Sequence, residues 1–277
     1  MRFAYNTNGT ANHRLADAVA LIGDTGYDGV ALTLDHHHLD PMEAGWVERA
    51  EALARDLHAR RLGSVIETGA RFLLDPRHKH EPTLLSPSAE GRAHRIAFLR
   101  RAVDIACVLG AEAVSFWAGV PKPGVDRGEA SEWLVRGVAA VLEYSMRRGV
   151  TAALEPEPGM LVETLDDWAL LHAELPALKL ALDLGHCLVT GEREPQAAVG
   201  EFAPYIGTVA IEDMRRGDHT HLPFGDGDMD VPACLAALDA VRFPGLVCVE
   251  LSRDSHRADR MVPDAIEWLR RCREEAP

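Results

Sequence analysis

The sequence has few cysteines, and they follow no pattern. Its five cysteines include no Cys-x-x-Cys pair and no regular spacing, which argues against a disulfide framework and indicates buried thiols in a reducing compartment. No apolar run approaches the length of a membrane span, and the apolar start of the chain, Met1–Asn6, is too short for a signal peptide. These absences predict a soluble cytoplasmic protein without a membrane partner.

Positive charge is also scarce. Lys and Arg total 29 against 43 Asp and Glu, so the formal net charge is -14. A protein that binds a phosphate backbone needs a basic face, and we therefore expect no nucleic-acid partner. A dinucleotide-binding glycine turn is missing as well, because Asn6–Thr10, after the first apolar run, contains no Gly-x-Gly-x-x-Gly.

What the chain does have is a regular alternation of short apolar runs with longer amphipathic segments. The eight runs that predict strands are Arg2–Tyr5, Gly29–Leu34, Leu62–Ile66, Ala113–Trp117, Val150–Leu154, Leu178–Leu182, Ile206–Ile211 and Leu246–Val249. The segments that predict helices are Arg14–Thr25, Pro41–Arg60, Gly91–Leu109, Ala130–Arg148, Leu165–Leu175, Pro195–Phe202, Val231–Val241 and Pro263–Arg273, the last with its proline at the first helical position.

Eight strand–helix units in 277 residues have the count and length of a (β/α)8 TIM barrel. No linker or low-complexity segment divides the chain, so we predict a single α/β domain over residues 1–277, with a doubly wound sheet as the alternative. The longest irregular stretch, Thr68–Ser88, follows the third strand and is predicted to cover the barrel mouth over a substrate.

Acidic residues collect where the predicted strands end, which is the face on which this fold carries active sites. Six of the eight strand ends carry carboxylates, and the crowding of so many acids predicts a divalent cation. The clearest members are Glu155, Asp183 and Glu250, whereas Asp35, Glu67 and Glu157 individually have helix capping as an alternative explanation. The three histidines of the Asp35–His38 run are adjacent, so they cannot all face one point.

Histidines accompany the sixth and seventh strands. His186 follows Asp183 by three residues after a glycine, and His219 and His221 lie two residues apart in a loop. Two imidazoles at this spacing on an extended segment can reach one ion. We therefore count Glu155, Asp183, His219, His221 and Glu250 as the candidate metal ligands.

These residues are where the chain resembles a known family, the sugar phosphate isomerase/epimerase and apurinic endonuclease superfamily of xylose isomerase-like barrels. The resemblance covers the whole chain, and its best marks are Ala153–Pro156, Leu182–His186, His219–Gly227 and Val249–Leu251. It implies that Glu155, Asp183 and Glu250 hold one divalent metal, that the two glutamates also move protons, and that His186 touches the substrate. In the endonuclease branch, the counterparts of His186 and of the His-x-His loop bind a further zinc.

The chain departs from the family pattern in two places. The usual metal-binding histidine of the seventh strand falls at Ala210. Its replacement is either Glu212, on the same face of the strand, which would favour manganese or magnesium, or the pair His219 and His221, which would favour zinc and which we prefer. The endonuclease histidines on strands three and four are also missing, which argues against a three-zinc cluster.

The function that this resemblance implies is a divalent-metal-dependent isomerase or epimerase of a small polyhydroxy carbonyl compound, such as a ketose, an inosose or a cyclitol. The metal, manganese or zinc with magnesium or cobalt as alternatives, would stabilise an ene-diolate while Glu155 and Glu250 transfer the proton. Substrate contacts are predicted for His186, Glu67, Trp117 and Arg71, with Arg215 or Arg216 as further candidates.

The sequence is also compatible with other functions. The three histidines favour a metal-dependent phosphodiesterase of the apurinic endonuclease type, and Ala210 would suit a barrel that binds without turnover. Another metal-dependent hydrolase or lyase is also compatible, because the fold does not fix the chemistry. The sequence leaves the oligomeric state open, with a homo-oligomer as one option.

Overall fold

Eight parallel strands close into one barrel in the computed structural model, which describes residues 1–274. The predicted TIM barrel is confirmed, and of the predicted domain only residues 275–277 lie outside the described residues. The order around the barrel is β1-β10-β7-β6-β5-β4-β3-β2. These strands are β1 Arg2–Asn6, β2 Gly29–Thr33, β3 Gly63–Glu67, β4 Val114–Trp117, β5 Ala152–Glu155, β6 Lys179–Asp183, β7 Ile206–Ile211 and β10 Leu246–Val249.

Helices connect the strands on the outside of the barrel. Their starts follow ordinary capping chemistry: Ser88 accepts a hydrogen bond from Gly91 N at the start of α3, and Thr164 forms a capping box with Asp167 at the start of α5. The helices are α1 Leu15–Asp24, α2 Trp46–Arg60, α3 Ala89–Leu109, α4 Arg127–Arg148, α5 Leu165–Glu174, α6 Leu184–Thr190, α7 Pro195–Phe202, α8 Val231–Ala240 and α9 Ala258–Glu274.

Two helix starts differ from the prediction by five residues, while α4 begins three residues earlier than predicted, at Arg127. Helix α2 begins at Trp46 rather than at Pro41, because Gly45 turns the chain in the left-handed region, with φ of 76°. Helix α9 begins at Ala258, so Pro263 lies inside it rather than at its first position. The helix extends N-terminally because a short 3-10 turn, Ser255–Arg257, leads into it.

Two elements have no counterpart in the prediction. Helix α6 is only seven residues long and follows β6 without a connecting loop. After β7, an antiparallel hairpin pairs β8, Asp213–Arg215, with β9, Asp218–Leu222, outside the barrel. Both elements stand at the carboxyl end of the barrel and therefore shape its mouth.

The apolar core lies mainly between the strands and the surrounding helices, and Trp168 and Phe98 are among its largest buried side chains. Cys187, Cys234 and Cys248 are buried, whereas Cys107 is exposed. Among the residues that the structure describes, no helix combines the length and the apolar character needed to cross a bilayer.

Small side chains fill the lower part of the barrel interior. Ala4, Ala31, Val65 and Cys248 form a buried cluster there. Because side chains alternate in direction along a strand, the residues two positions further on point inward nearer the mouth. Glu67 comes two positions after Val65, and Glu250 comes two positions after Cys248, so both glutamates point into the barrel near its mouth.

Candidate metal-binding active site

A cavity of about 600 Å³ opens at the carboxyl ends of the barrel strands. This volume falls within the range of small-molecule sites. Its wall contains acidic, basic and imidazole side chains together with one tryptophan. The residues that line it include Asn8, Glu67, Arg71, Lys79, His80, Trp117, Glu155, Glu157, His186, His219, His221, Glu250 and Arg253.

Three strand ends place the expected carboxylates at the floor of this cavity. Glu155 ends β5, Asp183 ends β6, and Glu250 directly follows β10. Asp183 Oδ1 accepts a hydrogen bond from His186 N at 3.1 Å and so caps α6, while its other oxygen, Oδ2, has no partner within the described chain. Asn8 Nδ2 donates to Glu250 Oε1 at 2.8 Å, which fixes the orientation of that carboxylate.

The floor of the cavity carries more carboxylates than the surrounding protein groups stabilise in their charged form. Burial raises the pKa of Glu155 well above its usual range, and the nearby carboxylates of Glu157 and Asp183 add to the effect. Burial also raises the pKa of Glu67 and of Glu212 well above their usual range, with Glu250 and Asp183 respectively as the next cause. A bound cation would relieve this repulsion.

His186 is held in one orientation by its neighbours. Its Nδ1 lies 3.0 Å from the carbonyl oxygen of Pro156, so the proton belongs on Nδ1 and the lone pair on Nε2. That Nε2 lies 3.0 Å from His219 Nε2 and 3.6 Å from Asp183 Oδ2. Burial would raise the pKa of Asp183, but the imidazoles of His186 and His221 lower it below its usual range.

The two further imidazoles come from the hairpin. His219 and His221 lie on β9 rather than in an irregular loop, and because Thr220 separates them they share one face of the strand. Their ring centroids are 5.6 Å apart. The structure therefore brings His186, His219 and His221 together as one group of potential ligands.

Glu212 belongs to a second group. Its side chain is fully buried, and its Oε2 lies 3.7 Å from His221 Nδ1, too far for a hydrogen bond. Asp183, Glu212 and His221 can each direct one atom to a common point. Ala210 is paired in register with Asp183 and lines a narrow void below the carboxylates, so it contributes no ligand. Glu212 and His221, which represent the two candidate replacements for the missing strand-seven histidine, thus both lie beside Asp183.

Orphaned polar atoms test whether a metal fits these residues. Asp183 Oδ2, both carboxylate oxygens of Glu212 and His221 Nδ1 are buried without a hydrogen-bond partner in the described part of the chain. Buried polar atoms are normally satisfied, and such a set of oxygen and nitrogen donors is what a divalent cation requires. The residues present therefore fit a divalent metal.

The predicted substrate-contacting residues reach the cavity, His186 among them. Glu67, Arg71 and Trp117 all line it. The guanidinium of Arg95 lies 4.3 Å from the centre of the Trp117 ring, and His80 packs edge-on against the same ring. These contacts hold the tryptophan as a flat wall.

Arg215 and Arg216 do not reach the cavity, which corrects the expectation that either meets the substrate. Arg216 forms an ion pair with Glu194 at 2.9 Å, and Arg215 donates to the carbonyl oxygen of Asp226 at 3.3 Å. Their direction is set by the hairpin, which turns both side chains towards α7 and the loop before α8. No pattern in the sequence indicated that hairpin.

The Asp35–His38 run lies apart from the lining of the cavity. Asp35 Oδ1 is 2.8 Å from His36 Nδ1, and His36 Nε2 is 3.2 Å from His37 Nδ1, so these three side chains form a chain of contacts. His38 instead turns into the protein and is 1% exposed. The sequence-based expectation that the three histidines do not share one direction agrees with this arrangement.

Several cavity residues were missed at the level of the sequence. Nothing local marks Asn8 and Arg253, whereas Lys79 belongs to the Thr68–Ser88 stretch that was predicted to cover the barrel mouth. Glu157 follows the fifth strand, with helix capping as the alternative explanation, and it too lines the cavity. Its carboxylate lies 3.9 Å from His186 Nε2 and 3.8 Å from His219 Nε2.

Fold and site together define a (β/α)8 barrel with a polar cavity suited to a divalent metal at the carboxyl ends of its strands. The chain belongs to the xylose isomerase-like TIM barrel family, whose model matches residues 19–272.

Proteins similar to this chain include several epimerases. L-ribulose-5-phosphate 3-epimerase UlaE of Shigella flexneri serotype 5b (strain 8401) is 23% identical over 254 residues, which cover 88% of this chain and 85% of the relative. The apo structure of the 3-keto-D-glucoside 4-epimerase YcjR from E. coli superposes with a TM-score of 0.78 at 16% identity, covering 98% of this chain and 100% of that one. The structure of the IolI protein with a binding zinc atom superposes with a TM-score of 0.75 at 18% identity, covering 100% of this chain and 98% of that one.

Proposed function

We propose that the protein is a divalent-metal-dependent isomerase or epimerase of a small polyhydroxy carbonyl compound. The observation that carries the proposal is the set of buried, unpartnered carboxylate and imidazole atoms around Asp183 at the floor of a sugar-sized cavity. Relatives named as sugar epimerases share the fold over nearly the whole chain, which supports this reaction class over other chemistry on the same barrel.

The metal would be held by Glu155, Asp183 and Glu250 together with imidazole nitrogen from the hairpin. A divalent cation bound there would supply the positive charge that polarises a substrate carbonyl and acidifies the neighbouring C–H bond. The mixture of oxygen and nitrogen donors favours manganese or zinc over magnesium. Asp183, whose lowered pKa keeps it ionised, is the central ligand of this set.

Glu155 and Glu250 would move the proton. They stand at the ends of β5 and β10, which are separated by β6 and β7 in the ring of eight strands, so the two carboxylates face the cavity from well-separated sides. One removes a proton from the substrate carbon and the other delivers a proton to the opposite face. The amide of Asn8 holds Glu250 in position for this role.

The remaining cavity residues would orient the substrate. His186 presents Nε2 to the cavity because Nδ1 is engaged by the carbonyl of Pro156, and it can accept a hydrogen bond from a substrate hydroxyl. Trp117 provides an apolar wall for the sugar carbons. Glu67, whose raised pKa favours the protonated form, can donate a hydrogen bond to a substrate oxygen.

Solvent deuterium exchange tests the reaction. The metal-loaded protein should incorporate deuterium from the solvent at the carbon beside the carbonyl of at least one ketose or inosose. Glu250→Gln should lower this exchange by about 10²–10⁴-fold, because it removes a proton-transfer group. The matched control is Glu51→Gln, an exposed glutamate on α2, which should exchange at the wild-type rate. Wild-type exchange in Glu250→Gln would remove that residue from the proton transfer.

Metal titration decides which ligands replace the missing strand-seven histidine. The double variant His219→Ala with His221→Ala should lose metal affinity sharply, because it removes two nitrogen donors, whereas Thr220→Ala on the same strand should not. Affinity is measured by competition with a chelator and stoichiometry by elemental analysis. Unchanged affinity in the double variant, with loss in Glu212→Gln, would assign the position to the carboxylate.

A further inference from the structure

We propose that the substrate carries an anionic group, a phosphate monoester or a carboxylate, and that Arg71, Lys79 and Arg253 bind it at the rim of the cavity. This inference rests on the proposed function, since it names the chemical class of substrate for the same site. The relatives do not decide the point. UlaE is named for a sugar phosphate, whereas YcjR is named for an uncharged glucoside.

The cavity has charges of opposite sign at its two ends. Its floor holds Glu155, Asp183 and Glu250, and the described residues that line its rim include Arg71, Lys79 and Arg253. Three cations around one cavity are unusual in a chain with 43 acidic and 29 basic residues. A substrate with a single anionic end would place that end against the three cations and leave its carbonyl end for the floor.

None of these three side chains forms an ion pair within residues 1–274. The contact that Arg71 makes is a long one, 3.5 Å from its Nη2 to the carbonyl oxygen of Asn8. Some basic residues near the barrel mouth are neutralised by carboxylates: Arg193 contacts Asp166, Glu192 and Glu201, and Arg216 contacts Glu194. The positive charge at the rim is thus left free for a ligand.

The backbone holds Arg71 and Lys79 side by side. Ala70 and Arg71 both have positive φ, 58° and 33°, an uncommon conformation for residues with a Cβ. His80 closes this turn, since its backbone N–H donates to Arg71 O and its Nδ1 lies 2.6 Å from Gly69 O. The segment between Arg71 and His80 therefore returns to its starting point, which brings Lys79 next to Arg71.

Arg253 reaches the cavity from another part of the barrel. It follows Glu250 by three residues, inside a turn in which Asp254 N donates to Leu251 O at 3.1 Å. Arginine and lysine are the side chains that bind phosphate and carboxylate oxygens, arginine through paired N–H donors. A cavity of about 600 Å³ accommodates one small sugar and not a polymer, so the anion is a terminal group of a monomeric substrate.

The experiment compares matched substrates on the metal-loaded protein. Solvent deuterium incorporation is measured for a set of pentuloses, their 5-phosphates and the corresponding keto acids that end in a carboxylate. We expect kcat/KM for one anionic set to exceed that for the neutral pentuloses by at least 10-fold. The variants Lys79→Gln and Arg253→Gln should reduce this advantage by 10-fold or more through KM. Arg77→Gln is the matched control, since Arg77 is an exposed cation of the same segment that does not line the cavity.

Equilibrium binding separates this inference from the proposed reaction. Exchange that is equally fast with neutral and anionic sugars, and unchanged in both variants, would overturn the anion site while the reaction stands. Binding of the 5-phosphates that weakens in Lys79→Gln and Arg253→Gln but not in Arg77→Gln, without any exchange, would support the anion site while the reaction fails. Preference for the phosphates or for the keto acids identifies the anion.

Discussion

At the scale of single residues, His38 differs from its neighbours by being enclosed in the protein. Its Nε2 lies 3.0 Å from the carbonyl oxygen of His13, which makes that nitrogen the protonated one. Burial lowers the pKa of His38 from 6.5 to about 4, because the charged imidazole would lose its hydration. The folded protein therefore holds His38 neutral at a pH where the unfolded chain binds a proton.

This difference predicts a loss of stability in mild acid. Between pH 6.5 and about 4 the unfolded state binds more protons at this position, so the free energy of unfolding falls as the pH falls through that range. The expected contribution is about 3 kcal/mol, following from about 1.4 kcal/mol for each pKa unit between 6.5 and about 4. His38→Gln keeps an N–H donor but cannot titrate, and it should flatten this part of the profile in urea unfolding. The exposed His58 supplies the control, and a His58→Gln profile that flattens equally would contradict the assignment.

Individual site residues were predictable only where a local pattern marked them. Glu155, Asp183 and Glu250 each follow an apolar run, and parallel strands bring their carboxyl ends to one face, so the sequence sufficed to bring them together. Their role as metal ligands stays a prediction. Asn8 and Arg253 gave no such signal. What holds Asn8 at the cavity is its contact with Glu250, more than 240 residues further along the chain.

At the scale of elements, the hairpin of β8 and β9 depends on one buried carboxylate. Asp213 Oδ2 accepts a hydrogen bond from Gly225 N at 2.9 Å, and its Oδ1 accepts one from Met229 N at 3.1 Å. These bonds fasten the segment after β9 to the start of β8. Gly227 allows the close approach, since a Cβ there would lie 2.2 Å from Asp213 Oδ1.

Asp213→Ala should therefore loosen the hairpin and weaken metal binding together. Two backbone N–H groups would lose their acceptor, and such a loss costs about 1–3 kcal/mol. Urea unfolding should show a lower midpoint, and chelator competition should show weaker metal binding, because the hairpin carries His219 and His221. Asp218→Ala is the control, since Asp218 is exposed and accepts from Thr220 Oγ1 alone. Full metal affinity in a destabilised Asp213→Ala would show that the hairpin does not hold the metal.

The strands and most helices followed from the apolar pattern, whereas the hairpin and α6 did not. Strand β8 is three residues long and polar at both ends, and β9 reads Asp-His-Thr-His-Leu, without the apolar alternation of a buried strand. Helix α6 is too short to show a helical period. Elements that depend on tertiary contacts rather than on a buried face leave little trace in a single sequence.

At the scale of the whole molecule, charge separates the proposed function from action on nucleic acid. The net charge of -14 would repel a phosphate backbone, and the three cations of the cavity rim lie around one small opening rather than along a face. We expect the protein to pass through a heparin column at low salt. Retention that is lost with rising salt would favour the phosphodiesterase, for which His186, His219 and His221 are the supporting group.

The hairpin also affects how the proposed ligands of this site could be gained or lost in evolution. The carboxylates come one from each strand end, so they can be lost only by separate substitutions in separate parts of the chain. His219 and His221 instead belong to a five-residue strand outside the barrel, which a single insertion or deletion can add or remove. The proposed oxygen ligands thus belong to the barrel itself, whereas the proposed nitrogen ligands of the hairpin could be gained or lost as one unit.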